Sequence, residues 1–194
     1  MKIGIITGSG LSSSLVYARA NKDVVLRDID LKSLLSNGCA NINPTPYYRE
    51  VVEWFKANGI THGSVGCNSY NDIGMSLFKQ YGIKPINDIT EILFREVKKY
   101  CLVGWISTST FRNKIPRSIR VKHISDSDQL IIDRIIFDEF ALGIVTEEST
   151  NEIRRIVYSL KCEDTVFGCT DLSILVDEMD MSIIDSVRLH LKHF

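Results

Sequence analysis

The sequence predicts two pseudosymmetric α/β lobes, each a parallel sheet flanked by helices, with a site in the cleft between them. Three observations carry this expectation. Short apolar runs bounded by turn residues alternate with longer stretches of helical spacing, the pattern of parallel strands joined by crossover helices. The plan also runs twice: Ile3-Gly4-Ile5-Ile6-Thr7-Gly8-Ser9 lines up with Val103-Gly104-Trp105-Ile106-Ser107-Thr108-Ser109, Gly66-Cys67-Asn68 with Gly168-Cys169-Thr170, and Ile86-Asn87-Asp88-Ile89 more loosely with Ile184-Asp185. Finally, 194 residues suffice for two such halves, each with one sheet and its helices.

The elements follow in order. Lys2 to Ile6 reads as a strand, Gly8 to Ser14 as a glycine and serine turn, and Asp23 to Leu26 as a second strand. Tyr47 to Asn58 has helical spacing, with Val51, Val52, Trp54 and Phe55 apolar, and stops at Gly59. Ile60 to Gly66 is a strand, Asp72 to Tyr81 a helix, Ile83 to Ile86 a strand and Glu91 to Lys99 a helix. In the second half, Cys101 to Ile106 is a strand ending in Ser107-Thr108-Ser109-Thr110, and Ile119 to His123 is the next. Ser127 to Leu142 reads as one helix closed by Gly143, and Glu148 to Leu160 as another. Thr165 to Gly168 and Ser182 to Ile184 are strands, and Ser186 to Phe194 is helical. The division is a first lobe over 1–96, a second over 97–185, and a C-terminal helix, 186–194, returning to the first.

Composition removes several classes of function. Hydrophobic residues make up 44% and charged residues 24%, which excludes disorder, collagen and coiled coil. A net charge of −1 leaves no basic surplus for phosphates, so a nucleic-acid partner is not expected. No apolar run reaches the roughly 18 residues a membrane span needs. The opening turns glycine-rich too quickly for a signal peptide. The five cysteines, Cys39, Cys67, Cys101, Cys162 and Cys169, are odd in number and form no CxxC pair. Neither a disulfide framework nor a zinc site is expected, and free thiols in a reducing cytosol are. The four histidines show no ligand spacing, and His190 reads as structural or solvent-exposed.

The chemistry is expected at two of those thiols. In each half a Gly-Cys follows the third strand and opens a helix. Ligands of parallel α/β sheets bind beyond the carboxyl ends of the strands. A helix amino terminus there stabilises thiolate and is expected to lower the thiol pKa. If the halves face each other about a pseudo-twofold axis, Cys67 and Cys169 look across one cleft. A cysteine after a buried strand is also an ordinary small apolar residue, a reading weakened by the matched pair.

Gly66-Cys67-Asn68-Ser69 resembles the cysteine-asparagine-threonine motif of the aspartate/glutamate racemases, and Gly168-Cys169-Thr170-Asp171-Leu172-Ser173-Ile174-Leu175 their glycine-cysteine-threonine-glutamate motif. Asp133 to Gly143 resembles a helix of the aspartate branch, Gly4 to Gly10 the family's opening, and Ile184-Asp185-Ser186 its final strand. The resemblance spans nearly the whole chain. It implies a racemase that needs no pyridoxal phosphate and no metal, with Cys67 and Cys169 exchanging a proton across the α-carbon. It implies substrate-binding roles for Ser9, Asn68, Ser69, Thr108, Thr110, Thr170 and Asp171. Asp171 is alternatively a helix cap, as is Ser69. Arg112 and Lys114 are the candidate contacts for a side-chain carboxylate. The expected ligand is an amino acid or related carboxylate, aspartate ahead of glutamate, and the expected assembly a homodimer.

The chain departs from the family pattern between strands two and three, where it is short, and at three motif positions. Asn71 replaces a common histidine, Asp171 stands for glutamate, and Thr7-Gly8 lacks the acidic opening of the glutamate branch. The alternatives are a catalytically degenerate relative that binds a small carboxylate, or a two-cysteine isomerase of maleate or hydantoins. A dinucleotide-binding turn at Gly8-Ser9-Gly10, with Asp28 and Asp30 following, is incomplete because Ser13 occupies the third glycine position.

Overall fold

The computed structural model describes residues 2–7, 10–20, 24–29 and 43–194. Gly8, Ser9, Asp23, Asp30 and Cys39 lie outside the described residues. Two four-stranded parallel sheets form the frame. The first contains β1 (Ile3–Ile6), β2 (Val25–Arg27), β3 (His62–Val65) and β4 (Lys84–Pro85) in the order β2-β1-β3-β4. The second contains β5 (Val103–Ile106), β6 (Val121–His123), β7 (Asp164–Phe167) and β8 (Ser182–Asp185) in the order β6-β5-β7-β8. The orders are equivalent, so the internal repeat of the sequence is a repeat of topology.

The helices form where apolar residues recur on one face. In α2 (Thr45–Ala57), Tyr48, Val51, Val52 and Phe55 are buried, and Gly59 leaves the helix at φ 71°. α3 spans Asn71–Gln80. α4 (Ile89–Val97) buries Ile89, Ile92, Leu93 and Val97 and is capped by Asp88, whose carboxylate accepts from the Glu91 N–H at 2.9 Å. α5 is the single turn Ser109–Arg112. α6 (Asp126–Asp138) and α7 (Glu147–Ser159) are capped by Ser125 and Thr146, and α8 (Ser186–Leu191) by Asp185. Among the described residues no helix is long and apolar enough to cross a membrane.

The structure departs from the sequence expectation at three places. The expected turn through Ser14 is a helix from its middle onward, α1 (Leu11–Arg19). Serines are weak helix formers, but here their hydroxyls are used: Ser12 donates to the Phe140 carbonyl and Ser13 to the carbonyls of Thr7 and Gly10, each at 2.8 Å. The polar stretch after β5 is likewise helical in α5, capped by Thr108. The long helix expected to reach Leu142 ends at Asp138 and gives way to a 3-10 turn, Phe140–Leu142. There Glu139 leaves helical geometry and accepts from Arg134, Thr146 and Ser149, while Phe140 and Ala141 are buried.

The last helix of each half packs on the other half's sheet. Leu93 and Val97 of α4 join a core with Val103, Trp105, Phe111 and Val166. Val187 of α8 packs with Ile5 and Tyr17. His190, also in α8, is completely buried. Its Nδ1 lies 2.6 Å from the Tyr17 hydroxyl, and its Nε2 lies 2.7 Å from the Asn87 carbonyl and 2.8 Å from Ser64 Oγ. A carbonyl only accepts, so Nε2 carries the proton and Nδ1 accepts from Tyr17. Its role is structural.

Candidate active site

Cys67 and Cys169 end the third-strand loops of the two halves, and both line one small pocket. The pocket is built from Cys67, Asn68, Ser69 and Tyr70 of the first half and Thr108, Thr110, Gly168, Cys169, Thr170 and Asp171 of the second. Ile136, Phe137 and Ala141 complete its apolar wall. Its volume is about 30 Å³, room for a water molecule and little more.

Three groups close it across the halves. The Asn68 side-chain amide donates to the Gly168 carbonyl at 2.8 Å, while its oxygen accepts from Thr90 at 3.3 Å. The Ser69 and Thr108 hydroxyls are 3.2 Å apart. Asp171 Oδ1 accepts from the Ser13 N–H at 3.0 Å. Ser13 is the third residue of α1, whose N-cap position is Gly10 and offers no side chain. Asp171 therefore caps a helix of the opposite half, not its own. A Cβ on Gly10 would lie 1.9 Å from Asp171 Oδ1, so only glycine admits the carboxylate. Ser69 is not a cap either; its hydroxyl bridges to Thr108.

The electrostatics reverse one expectation. Burial pushes the Cys67 thiol up, against N–H groups of Tyr70 and Ser69 that favour thiolate. Burial pushes Cys169 higher still, reinforced by the Asp171 carboxylate and opposed by the Asp171 N–H. Loss of solvent outweighs the helix-end donors, so neither thiol is held below its ordinary range. Asp171 is itself raised to about 6 by burial, partly offset by its bonds to Ser13.

The other candidates divide. Asn68, Ser69, Thr108, Thr110, Thr170 and Asp171 reach the pocket; Ser9 lies outside the described residues. Arg112 and Lys114 are not on it. Arg112 pairs with Asp126 at 3.4 Å on another face. Lys114 donates to the Ser69 carbonyl at 2.7 Å and pairs with Asp72 at 3.2 Å. It lines a neighbouring groove of about 700 Å³ that shares Asn68 with the cysteine pocket. Sequence reasoning did not assign Tyr70, Ile136 or Phe137 to the site. Ile136 and Phe137 lie in the Asp133–Gly143 stretch it had singled out, which was the available signal. Asp133 of that stretch accepts from the Ser109 N–H at 2.9 Å and from Gln129 at 3.1 Å, holding α5 beside the pocket. Among the described residues no group of three or more His, Cys, Asp or Glu side chains could hold a metal.

No family model and no curated protein matches the sequence. Solved structures do match. An aspartate racemase homologue from Pyrococcus horikoshii is 18% identical, covers 98% of this chain and 96% of its own, and superposes with a TM-score of 0.66. The chain has the racemase fold. A glutamate racemase isoform from Bacillus anthracis is 14% identical over 98% of this chain and 79% of its own, at a TM-score of 0.68. The glutamate racemase of Francisella tularensis, solved with D-glutamate, is 15% identical over 98% and 78%, at 0.63. Two equivalent parallel sheets are what the chain shares with these racemases.

Proposed function

We propose that the chain is a pyridoxal phosphate-independent amino-acid racemase whose two bases are Cys67 and Cys169. The observation that carries this reading is their meeting: two thiols from repeat-equivalent loops line one pocket. Racemisation needs an acid and a base on opposite faces of one carbon. One sulfur, as thiolate, takes the α-proton; the C–H bond breaks as an S–H bond forms, and the electron pair passes into the α-carboxylate. The opposite thiol then returns a proton to the other face and is left as thiolate. Burial makes each thiolate a strong base once formed. Asn68, Ser69, Thr108, Thr110 and Thr170 supply the donors that hold the carboxylate as its charge grows.

An amino acid does not fit in about 30 Å³, so substrate entry separates the two halves at the pocket. The Asn68 to Gly168 bond is the one to give way, which frees the Asn68 amide for the substrate carboxylate. Aspartate is the preferred substrate and glutamate the second, with Lys114 meeting the side-chain carboxylate from the adjoining groove. The setting is a reducing cytosol and the assembly a homodimer. The experiment incubates single enantiomers of acidic and neutral amino acids in D2O, following α-proton loss by NMR and handedness by chiral chromatography. Exchange with racemisation of aspartate is expected. Silence across the panel would overturn the reading in favour of a binding-only relative, and a neutral amino acid turned over about tenfold better than both acidic ones would remove Lys114 from its role.

A further inference from the structure

Lys114 already holds a carboxylate. It follows α5 in the second half and crosses to the first, where its Nζ donates to the Ser69 carbonyl at 2.7 Å and pairs with Asp72 Oδ1 at 3.2 Å. Ser69 lines the cysteine pocket, whereas Lys114 and Asp72 line the groove that shares Asn68 with it. Arg95 and Lys98 line that groove too. Among the described residues, Lys114 is the groove cation bonded to a residue of the cysteine pocket. Its two anchors differ in kind. The Ser69 carbonyl is main chain, in the loop that carries Cys67. Asp72, in the first turn of α3, has a side chain 72% exposed. An ion pair that open to water is worth a factor of about two to five, so the carboxylate swings away at little cost.

We propose that Asp72 is a specificity-determining residue: its carboxylate occupies Lys114 where the side-chain carboxylate of an acidic substrate binds, and such a substrate enters by displacing it. The proposal rests on the role given to Lys114 above and goes beyond it, because it makes the resident carboxylate a competitor of the substrate and not a support for the lysine. Two carboxylates on one ammonium repel each other, so the arriving one gains most when Asp72 leaves. The Ser69 carbonyl keeps Nζ beside the cysteine pocket during the exchange. A neutral side chain brings no rival for Lys114 and leaves the pair closed. Asp72 therefore lowers affinity for acidic side chains and leaves neutral ones unaffected.

The test is a double-mutant cycle of Asp72→Asn and Lys114→Gln, with the binding of L-aspartate and of L-serine followed by NMR chemical-shift titration. Both side chains are solvent-accessible, at 72% and 40%, so the variants are expected to fold. Asparagine keeps the shape of Asp72 and removes its charge. In Asp72→Asn the affinity for aspartate should rise about two- to fivefold, the worth of the pair that no longer competes, while that for serine stays put. In the Lys114→Gln background the same substitution should bring no gain. A fall in aspartate affinity in Asp72→Asn overturns the proposal, because Asp72 would then support Lys114. No change overturns it too, as does an equal gain in both backgrounds, which would not pass through the lysine. Binding is read without turnover, so the result stands apart from the racemisation assay: a chain that exchanges no α-proton can still show the gain, and one that racemises aspartate can lack it.

Discussion

Cys67 and Cys169 are equal by position and unequal by surroundings. Each replaced by alanine should reduce α-proton exchange by about 10² to 10⁴-fold, the usual worth of a positioned acid or base. Cys101 and Cys162 do not line the pocket, so their replacement should leave exchange within about twofold of wild type, measured in the same D2O assay. His190 makes a second single-residue test. Burial lowers it to about 4 from an ordinary 6.5, so the folded chain holds it neutral. Its contribution is fully present above pH 6.5 and is lost as the pH falls toward 4. Asp171 and Asp185, both raised to about 6 by burial, work oppositely, since the fold favours their protonated forms. A comparison with His190→Gln cancels them. That variant should be about 1–3 kcal/mol less stable than wild type at pH 8 in urea unfolding, with the gap shrinking between pH 6.5 and 4. A gap independent of pH would mean His190 titrates normally in the fold.

At the scale of elements, α1 depends on a residue about 160 positions away. Gly10 presents no capping side chain, and Asp171 supplies the oxygen from the opposite half. Asp171→Ala should therefore cost about 0.5–2 kcal/mol, and Asp171→Asn, which keeps an acceptor for the Ser13 N–H, appreciably less. Gly10→Ala should cost more than either, because its Cβ would lie inside the carboxylate. Thermal unfolding followed by circular dichroism ranks the three, and a harmless Gly10→Ala would show that Asp171 is free to leave. The same device explains why sequence reading made this stretch a turn. Consecutive serines after a glycine favour turns locally. Their helix forms because a distant carbonyl and a distant carboxylate satisfy it.

The whole molecule is tied together by exchange of its terminal helices. Leu93 and Val97 complete the second half's core and Val187 the first half's, so neither half closes its core alone. Unfolding should be a single transition. The fluorescence of Trp105, buried in the second half, and that of Trp54 in the first should change at the same denaturant concentration when each is isolated by replacing the other with Phe. Removing residues 186–194 should destabilise both signals together, since Val187 packs on the first half and Leu189 against the core of the second. Separated midpoints would indicate two independent folding units.

The sequence by itself determined the alternation of strand and helix, the doubling of the plan, and the pairing of Cys67 with Cys169. These are written in local apolar periodicity and in motifs at equivalent positions, which need no knowledge of distant neighbours. Asn68, Ser69, Thr108, Thr110 and Thr170 were legible only through the resemblance to the racemase motifs, in which they flank the two cysteines or end the matching first strand. Tertiary structure decided what depends on groups far apart in the chain. It moved the Asp171 carboxylate onto α1 and withdrew Arg112 and Lys114 from the cysteine pocket into ion pairs. It also reversed the expected direction of the thiol shifts. A helix end read from sequence promises stabilised thiolate, but burial between the two halves works against the charge and outweighs the helix-end N–H groups at both sulfurs.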